Sequence, residues 1–246
     1  MSIKKHIPNF ITFLNLSAGL LALVHAFNGN YNEAFSLVCL GIFFDFWDGF
    51  FARKFNVSGD LGLQLDSLAD LITAGLVPGV VMYKMFADIQ ENQPIYNLTP
   101  ETWFMGAVPY VGFIITLASA YRLAKFNIDT RQTDSFIGLP TPANALLILS
   151  IPMIIYNSAF EGVSDFLSNP YVLLIITLIS SYLLNAELPL FSLKIKNFTL
   201  QKYKLQISFL VISVLLLLFL QYLAIPIIIL LYVLLSVLVK PKAVKA

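Results

Sequence analysis

The sequence predicts an all-α, polytopic transmembrane helix bundle of about eight spans with both termini in the cytoplasm. Three observations predict it. The chain is 58% hydrophobic and only 12% charged, against about a quarter charged in soluble domains, and its mean hydropathy is +0.81. Apolar runs of bilayer-spanning length recur at eight places along the 246 residues. Basic residues segregate between alternate loops, as the positive-inside rule requires.

The first run, about 8–27, follows Lys4 and Lys5 and starts at Pro8, where a missing N–H costs nothing. It is long, carries polar residues and is followed by no small-residue cleavage site, so it reads as an anchor rather than a leader. The second, about 33–55, ends at Arg53 and Lys54; the third and fourth cover about 66–86 and 103–122. Pro140 and Pro142 open the fifth, about 141–157, and Pro170 opens the sixth, about 170–186. The seventh and eighth, about 205–221 and 222–239, share a turn near Tyr222 to Pro226 so tight that seven spans is the alternative count. Between the sixth and seventh, Glu187 to Lys204 is basic with interspersed Leu, Phe and Tyr, which suits the cytoplasmic membrane surface. Residues 1–246 read as one integral membrane domain: chemistry-bearing side chains lie in 1–145, and 146–246 add transmembrane helices.

With the N-terminus inside, cytoplasmic segments hold Lys4, Lys5, Arg53, Lys54, Arg122, Lys125, Arg131, Lys194, Lys196, Lys202, Lys204, Lys240, Lys242 and Lys245. Lys84 is the one exception among the 15 Lys and Arg residues. Glu33, Asp88, Glu91, Glu101, Glu161 and Asp165 fall outside. A net charge of +1 makes no electrostatic case for nucleic acid; the partner is the lipid bilayer. The single cysteine, Cys39, rules out a disulfide within the chain.

The stretch 45–70, DFWDGFFARKFNVSGDLGLQLDSLAD, concentrates acid where the flanks are apolar. Asp45, Asp48, Gly49 and Ala52 share one face of the second span at spacings of three and four. Asp66 and Asp70 share a face at the start of the third. The connection from Asn56 to Gly62, with Gly59 inside it, is expected to make the cytoplasmic turn and bring both acidic pairs to one depth. A carboxylate at mid-bilayer costs about 2.5–3.5 kcal/mol, and Arg53 and Lys54 cannot neutralise four of them. Two divalent cations can. Oxygen ligands suit Mg²⁺ or Mn²⁺, with Ca²⁺ also admissible. Gly49 and Ala52 either leave a flat strip for a planar group or let helices pack closely; spacing does not separate these.

The arrangement Asp45-x2-Asp48-Gly49-x2-Ala52-Arg53-x8-Gly62-x3-Asp66-x3-Asp70 resembles the signature of the CDP-alcohol phosphotransferases, at every fixed position. The resemblance implies membrane enzymes that move a phosphoalcohol from a CDP-linked donor to an acceptor hydroxyl and release CMP. It implies that Asp45, Asp48, Asp66 and Asp70 hold the two metal ions, that Gly49, Ala52, Gly59 and Gly62 leave room for the nucleotide, and that Arg53 binds phosphate. Asp70 matches the general base, with pure metal ligation as its other reading. A homodimer is also implied.

Pro8 to Gly19 (PNFITFLNLSAG), Arg122 to Asn127 (RLAKFN) and Phe136 to Ala145 (FIGLPTPANA) are similar to serine-accepting bacterial members of that family. This implies CDP-diacylglycerol and L-serine as substrates, and the inner membrane of a bacterium, with the site facing the cytoplasm. Asn9 and Thr12 are either nucleotide contacts or polar residues of a helix start. Arg122, Lys125 and Arg131 are candidates to grip the acceptor's carboxylate, or are positive-inside charges. Glycerol 3-phosphate or inositol phosphate would also want cations, so charge alone leaves the acceptor open. A cation transporter is the remote alternative, but it expects inverted repeats and midplane acids, and this sequence offers neither. His6 and His25 have no metal-ligand spacing.

Overall fold

Pro8 in its first turn and an apolar run reaching Phe27 make α1 (Ile7–Phe27), in a computed structural model that describes residues 6–57, 59–91, 107–129, 136–156, 161–191 and 204–239. Arg131 and most of the basic segment before Lys204 lie outside these residues. A three-residue turn leads into α2 (Tyr31–Phe55), which lies against α1 through small residues: Ala18, Ala22 and Ala26 face Ala34, Val38 and Gly41. Asn56, left-handed at φ 52°, caps α2.

The third span begins earlier than the sequence suggests. α3 runs Asp60–Asp70, so Gly62 sits in its first helical turn, and the connection is only Asn56 to Gly59. Asp60 in that first turn complements the helix dipole, which explains the early start. A π-helical turn, Leu71–Leu76, follows directly, then α4 (Val77–Glu91). The wider π turn is held from outside: the Thr73 hydroxyl donates to the Asn15 carbonyl at 3.2 Å, and the Thr116 hydroxyl donates to the Gly75 carbonyl at 3.0 Å. Side chains from neighbouring helices thus take up backbone and side-chain groups that a regular α-helix would handle internally.

Beyond the next connection, a 3₁₀ segment (Val108–Phe113) opens α5 (Ile114–Ile128). The fourth span therefore ends past 122, and Arg122 and Lys125 are helical rather than in a following loop. α6 (Thr141–Ile155) is followed by α7 (Glu161–Leu167) and α8 (Pro170–Asn185), which meet at a 73° bend. α9 (Lys204–Leu220) and α10 (Ala224–Val239) complete the order. By length and composition, four stretches among the described residues can cross a bilayer: Ile7–Phe27, Tyr31–Phe55, Asp60–Ile89 and Lys204–Leu238. The bent pair α7–α8 would be a fifth, and Thr141–Ile155 is apolar but shorter. This is an integral membrane helix bundle.

Lys204–Leu238 is not one rod. Phe209 and Tyr232 would stand about 34 Å apart along a single helix, yet their ring centroids are 5.7 Å apart. The chain reverses at Gln221, φ 48°, near the turn expected from the sequence. One feature went unforeseen: Phe136 and Ile137 (β1) pair antiparallel with Leu190 and Pro189 (β2). This two-residue ladder ties the segment before α6 to the segment after α8.

α4 is the axis of the bundle. Val77, Val80, Val81 and Met82 are buried against Ile148, Leu149 and Leu173 of α6 and α8. The α9–α10 hairpin is largely exposed, as suits a lipid-facing arm. The tightest crossing lies beside the acidic stretch, where a Cβ on Gly41 would stand 2.6 Å from Thr73 Cγ2 and 2.9 Å from Asn15 Oδ1. Gly41→Val is expected to force these three helices apart at a cost of about 1–3 kcal/mol. A lower thermal midpoint in detergent would register it; an unchanged midpoint would mean the crossing relaxes freely.

Candidate active site

α2 and α3 both pack on α1, and their acidic faces converge across a cleft. One carboxylate oxygen from each of Asp45, Asp48 and Asp66 lies within 4.8 Å of the others. Asp48 is buried, and the other two are half-buried. The Thr12 hydroxyl donates to Asp48 Oδ2 at 2.6 Å and lies 3.1 Å from the Pro8 carbonyl. Asp66 Oδ1 is buried without a hydrogen-bond partner. Three hard oxygens this close, one of them buried and unsatisfied, fit a divalent cation in both charge and donor type. The donor set suits Mg²⁺, Mn²⁺ or Ca²⁺ and lacks the nitrogen or sulfur that would draw Zn²⁺.

Asp70 falls outside that 4.8 Å group but within electrostatic reach of it. Asn15 Nδ2 donates to its Oδ1 at 3.1 Å, and it shares an electrostatic interaction with Arg122 of α5. The resemblance made all four acids metal ligands and singled out Asp70 as the base; the geometry gives Asp45, Asp48 and Asp66 a common focus and gives Asp70 its own hydrogen bond. Asn15 escaped that reading, although Asn9, Thr12 and Asn15 step by three along α1 and share one face. It is buried and spans α1 to α3, with its own Oδ1 unpaired.

Beside the triad, toward the α2–α3 turn, lies a cleft of about 170 Å³. Asn9, Thr12, Gly49, Ala52, Arg53, Gly59 and Gly62 all line it, together with Asp48 and Asp66. The atoms nearest to a Cβ built on Gly49 belong to the Arg53 guanidinium, at 3.3 Å, not to a neighbouring helix. Gly49 thus borders an open cleft rather than a helix–helix seam. Thr12 does two things at once, reaching the cleft wall and holding Asp48.

The acceptor candidates separate. Arg122 is only 8% exposed, and its Nε has no partner. Lys125 pairs with Glu187 at 2.8 Å, at the exposed end of α5. Arg131 is outside the described residues.

Residues 5–183 match the family pattern described as CDP-alcohol phosphatidyltransferase. The chain belongs to that family. It is similar to the CDP-diacylglycerol–serine O-phosphatidyltransferase of Bacillus subtilis (strain 168), at 35% identity over 151 residues, which are 59% of this chain and 75% of that protein. The protein of the same name from Helicobacter pylori (strain 26695) is 29% identical over 217 residues, covering 87% of this chain and 81% of its own. That of Methanocaldococcus jannaschii is 32% identical over 157 residues, covering 64% and 65%. CDP-alcohol phosphatidyltransferases depend on divalent metal, which accords with the acidic triad.

A group that orients a metal ligand typically contributes 10- to 100-fold to metal affinity. Thr12→Val is therefore expected to weaken Mn²⁺ binding about tenfold, read by the electron spin resonance of free Mn²⁺. Unchanged affinity would show that the Thr12 hydroxyl does not position Asp48.

Proposed function

We propose that this chain transfers the phosphatidyl group of CDP-diacylglycerol to the hydroxyl of L-serine, giving phosphatidylserine and CMP. The observation that carries the reading is that Asp70, held by Asn15, lies within electrostatic reach of the buried guanidinium of Arg122. A base and a cation within electrostatic reach of each other suit an acceptor that carries both a hydroxyl and a carboxylate. The names of the related proteins point the same way.

In this reading the cleft beside the triad takes the cytidine. Gly49 and Ala52 leave a strip without bulky side chains, Asn9 and Gly59 border the opening, and Arg53 reaches the phosphates. Asp45, Asp48 and Asp66, with Asp70 toward a second ion, would hold two divalent cations, Mg²⁺ or Mn²⁺. When bound, these neutralise and polarise the diphosphate and stabilise attacking and leaving oxygens, supplying several kcal/mol. Arg122 orients serine by its carboxylate. Asp70 takes the proton from the serine hydroxyl as that oxygen bonds to the phosphorus bearing diacylglycerol. The bond to the bridging oxygen breaks, and CMP leaves with the electron pair. Such a base contributes about 10² to 10⁴ in rate.

The same proposal places eight spans in the cell membrane of a bacterium, with both termini and the site on the cytoplasmic side. A homodimer could form through the exposed apolar surface of α1 and α2. Purified protein given CDP-diacylglycerol, Mn²⁺ and labelled acceptors should incorporate serine and not glycerol 3-phosphate or inositol phosphate. Incorporation of either phosphate acceptor without serine would overturn the assignment. Asp70→Asn should lower kcat at least 100-fold with little change in the KM for CDP-diacylglycerol; near-full turnover would leave Asp70 no role as base.

A further inference from the structure

Asn15 lies where α1 meets the joint between α3 and the π turn, and it engages that joint twice. Its Nδ2 donates to Asp70 Oδ1 at 3.1 Å, and its carbonyl accepts the Thr73 hydroxyl at 3.2 Å. Asp70 ends α3 and Thr73 lies in the π turn, so one residue grips both sides of the joint. The amide is otherwise poorly served. Asn15 is 1% exposed, and its Oδ1 is buried without a partner. That oxygen faces α2 at Gly41, where an added Cβ would stand 2.9 Å away. A buried acceptor left unpaired is costly, and packing against a glycine asks for no amide. Among the described residues, the hydrogen bond that uses this side chain runs to Asp70.

Asp70 needs such a restraint. Asp66 lies one helical turn before it on α3, and Cβ atoms so spaced are about 5–6 Å apart. Asp66 belongs to the triad whose oxygens lie within 4.8 Å of one another, and Asp70 is within electrostatic reach of Asp45 and Asp66. A Mg²⁺ ion takes six oxygens, so one oxygen from each of three carboxylates leaves positions open. A loose fourth carboxylate one turn away would fill one of them. Bound there it would be a poor base, because a cation stabilises the charged form of a carboxylate.

We infer that Asn15 is a positioning residue that keeps Asp70 off the metal triad, leaving its carboxylate free to take the acceptor's proton. The role rests on Asp70 being the base. It gives α1 a part in the proton transfer, beyond the support that Thr12 lends to Asp48.

The test measures Mn²⁺ binding to full-length protein without substrate, by the electron spin resonance of free Mn²⁺, beside turnover. In Asn15→Leu the apparent Mn²⁺ affinity should rise about tenfold, while kcat for transfer to serine falls about 10- to 100-fold. Binding that tightens as turnover falls marks a misplaced ligand; a merely structural defect would weaken both. Asn15→Ala, which removes the same amide with less bulk, should do likewise. Partial unfolding in either variant would lower the number of Mn²⁺ sites rather than raise their affinity. In Asn15→Leu combined with Asp70→Asn the tightening should disappear. Unchanged or weaker Mn²⁺ binding in both single variants would overturn the inference, as would tightening that survives Asp70→Asn or that leaves kcat untouched. If wild-type protein fails to use serine while both single variants bind Mn²⁺ more tightly, the proposed function falls and the restraint on Asp70 stands.

Discussion

Three carboxylates whose oxygens lie within 4.8 Å of one another, in the interior of a membrane bundle, must be compensated. The desolvation of even one is costly in lipid, and like charges this close raise the cost further. Among the described residues no cation forms an ion pair with them. Arg53 lies at the exposed end of α2, and Thr12 supplies Asp48 with one hydrogen bond rather than a charge. The cluster therefore suits a divalent cation, and the helices around the acids hold it together.

That arrangement depends on the joint after Asp70. Six residues of π geometry shift the register of the third helix, so that its acidic face meets α2 while α4 continues as the packed axis. π turns weaken a helix unless other groups engage them. Here Thr73 bonds to α1 and Thr116 of α5 bonds back to Gly75. The same contacts fix Asn15 at Asp70, because the carbonyl of Asn15 receives the Thr73 hydroxyl while its side chain donates to the carboxylate. Local helix irregularity and the position of the candidate base are thus one structural fact.

The acidic site was legible in the sequence because its residues recur at helical spacing on two helices joined by a short turn. Every residue expected at the nucleotide reached a single cleft. Span positions followed from hydropathy, with errors at the ends: α3 starts at Asp60 because a helix dipole rewards an acid there, a signal that hydropathy does not carry. The π turn left no trace, since Leu71 to Leu76 has unremarkable helical composition and its stabilising hydroxyls come from distant residues. Asn15 shares a face with Asn9 and Thr12, but only the fold shows which acid it meets. Arg122 and Lys125, three residues apart, look equivalent as charges; burial separates them, sending one into the bundle and the other to Glu187.

In the proposed reaction the two substrates approach from different sides of the bundle. The donor side belongs to α1, α2 and α3, whose acids and small residues suit a diphosphate and a flat base. In that reading the acceptor side belongs to α5, where Arg122 is buried. Asp70 sits where they meet, bonded to α1 and facing α5. A group so placed can be tuned by one substrate's helices while it serves the other. Such a division would let the acceptor side change without disturbing the phosphoryl chemistry, because Arg122 does not line the cleft beside the triad.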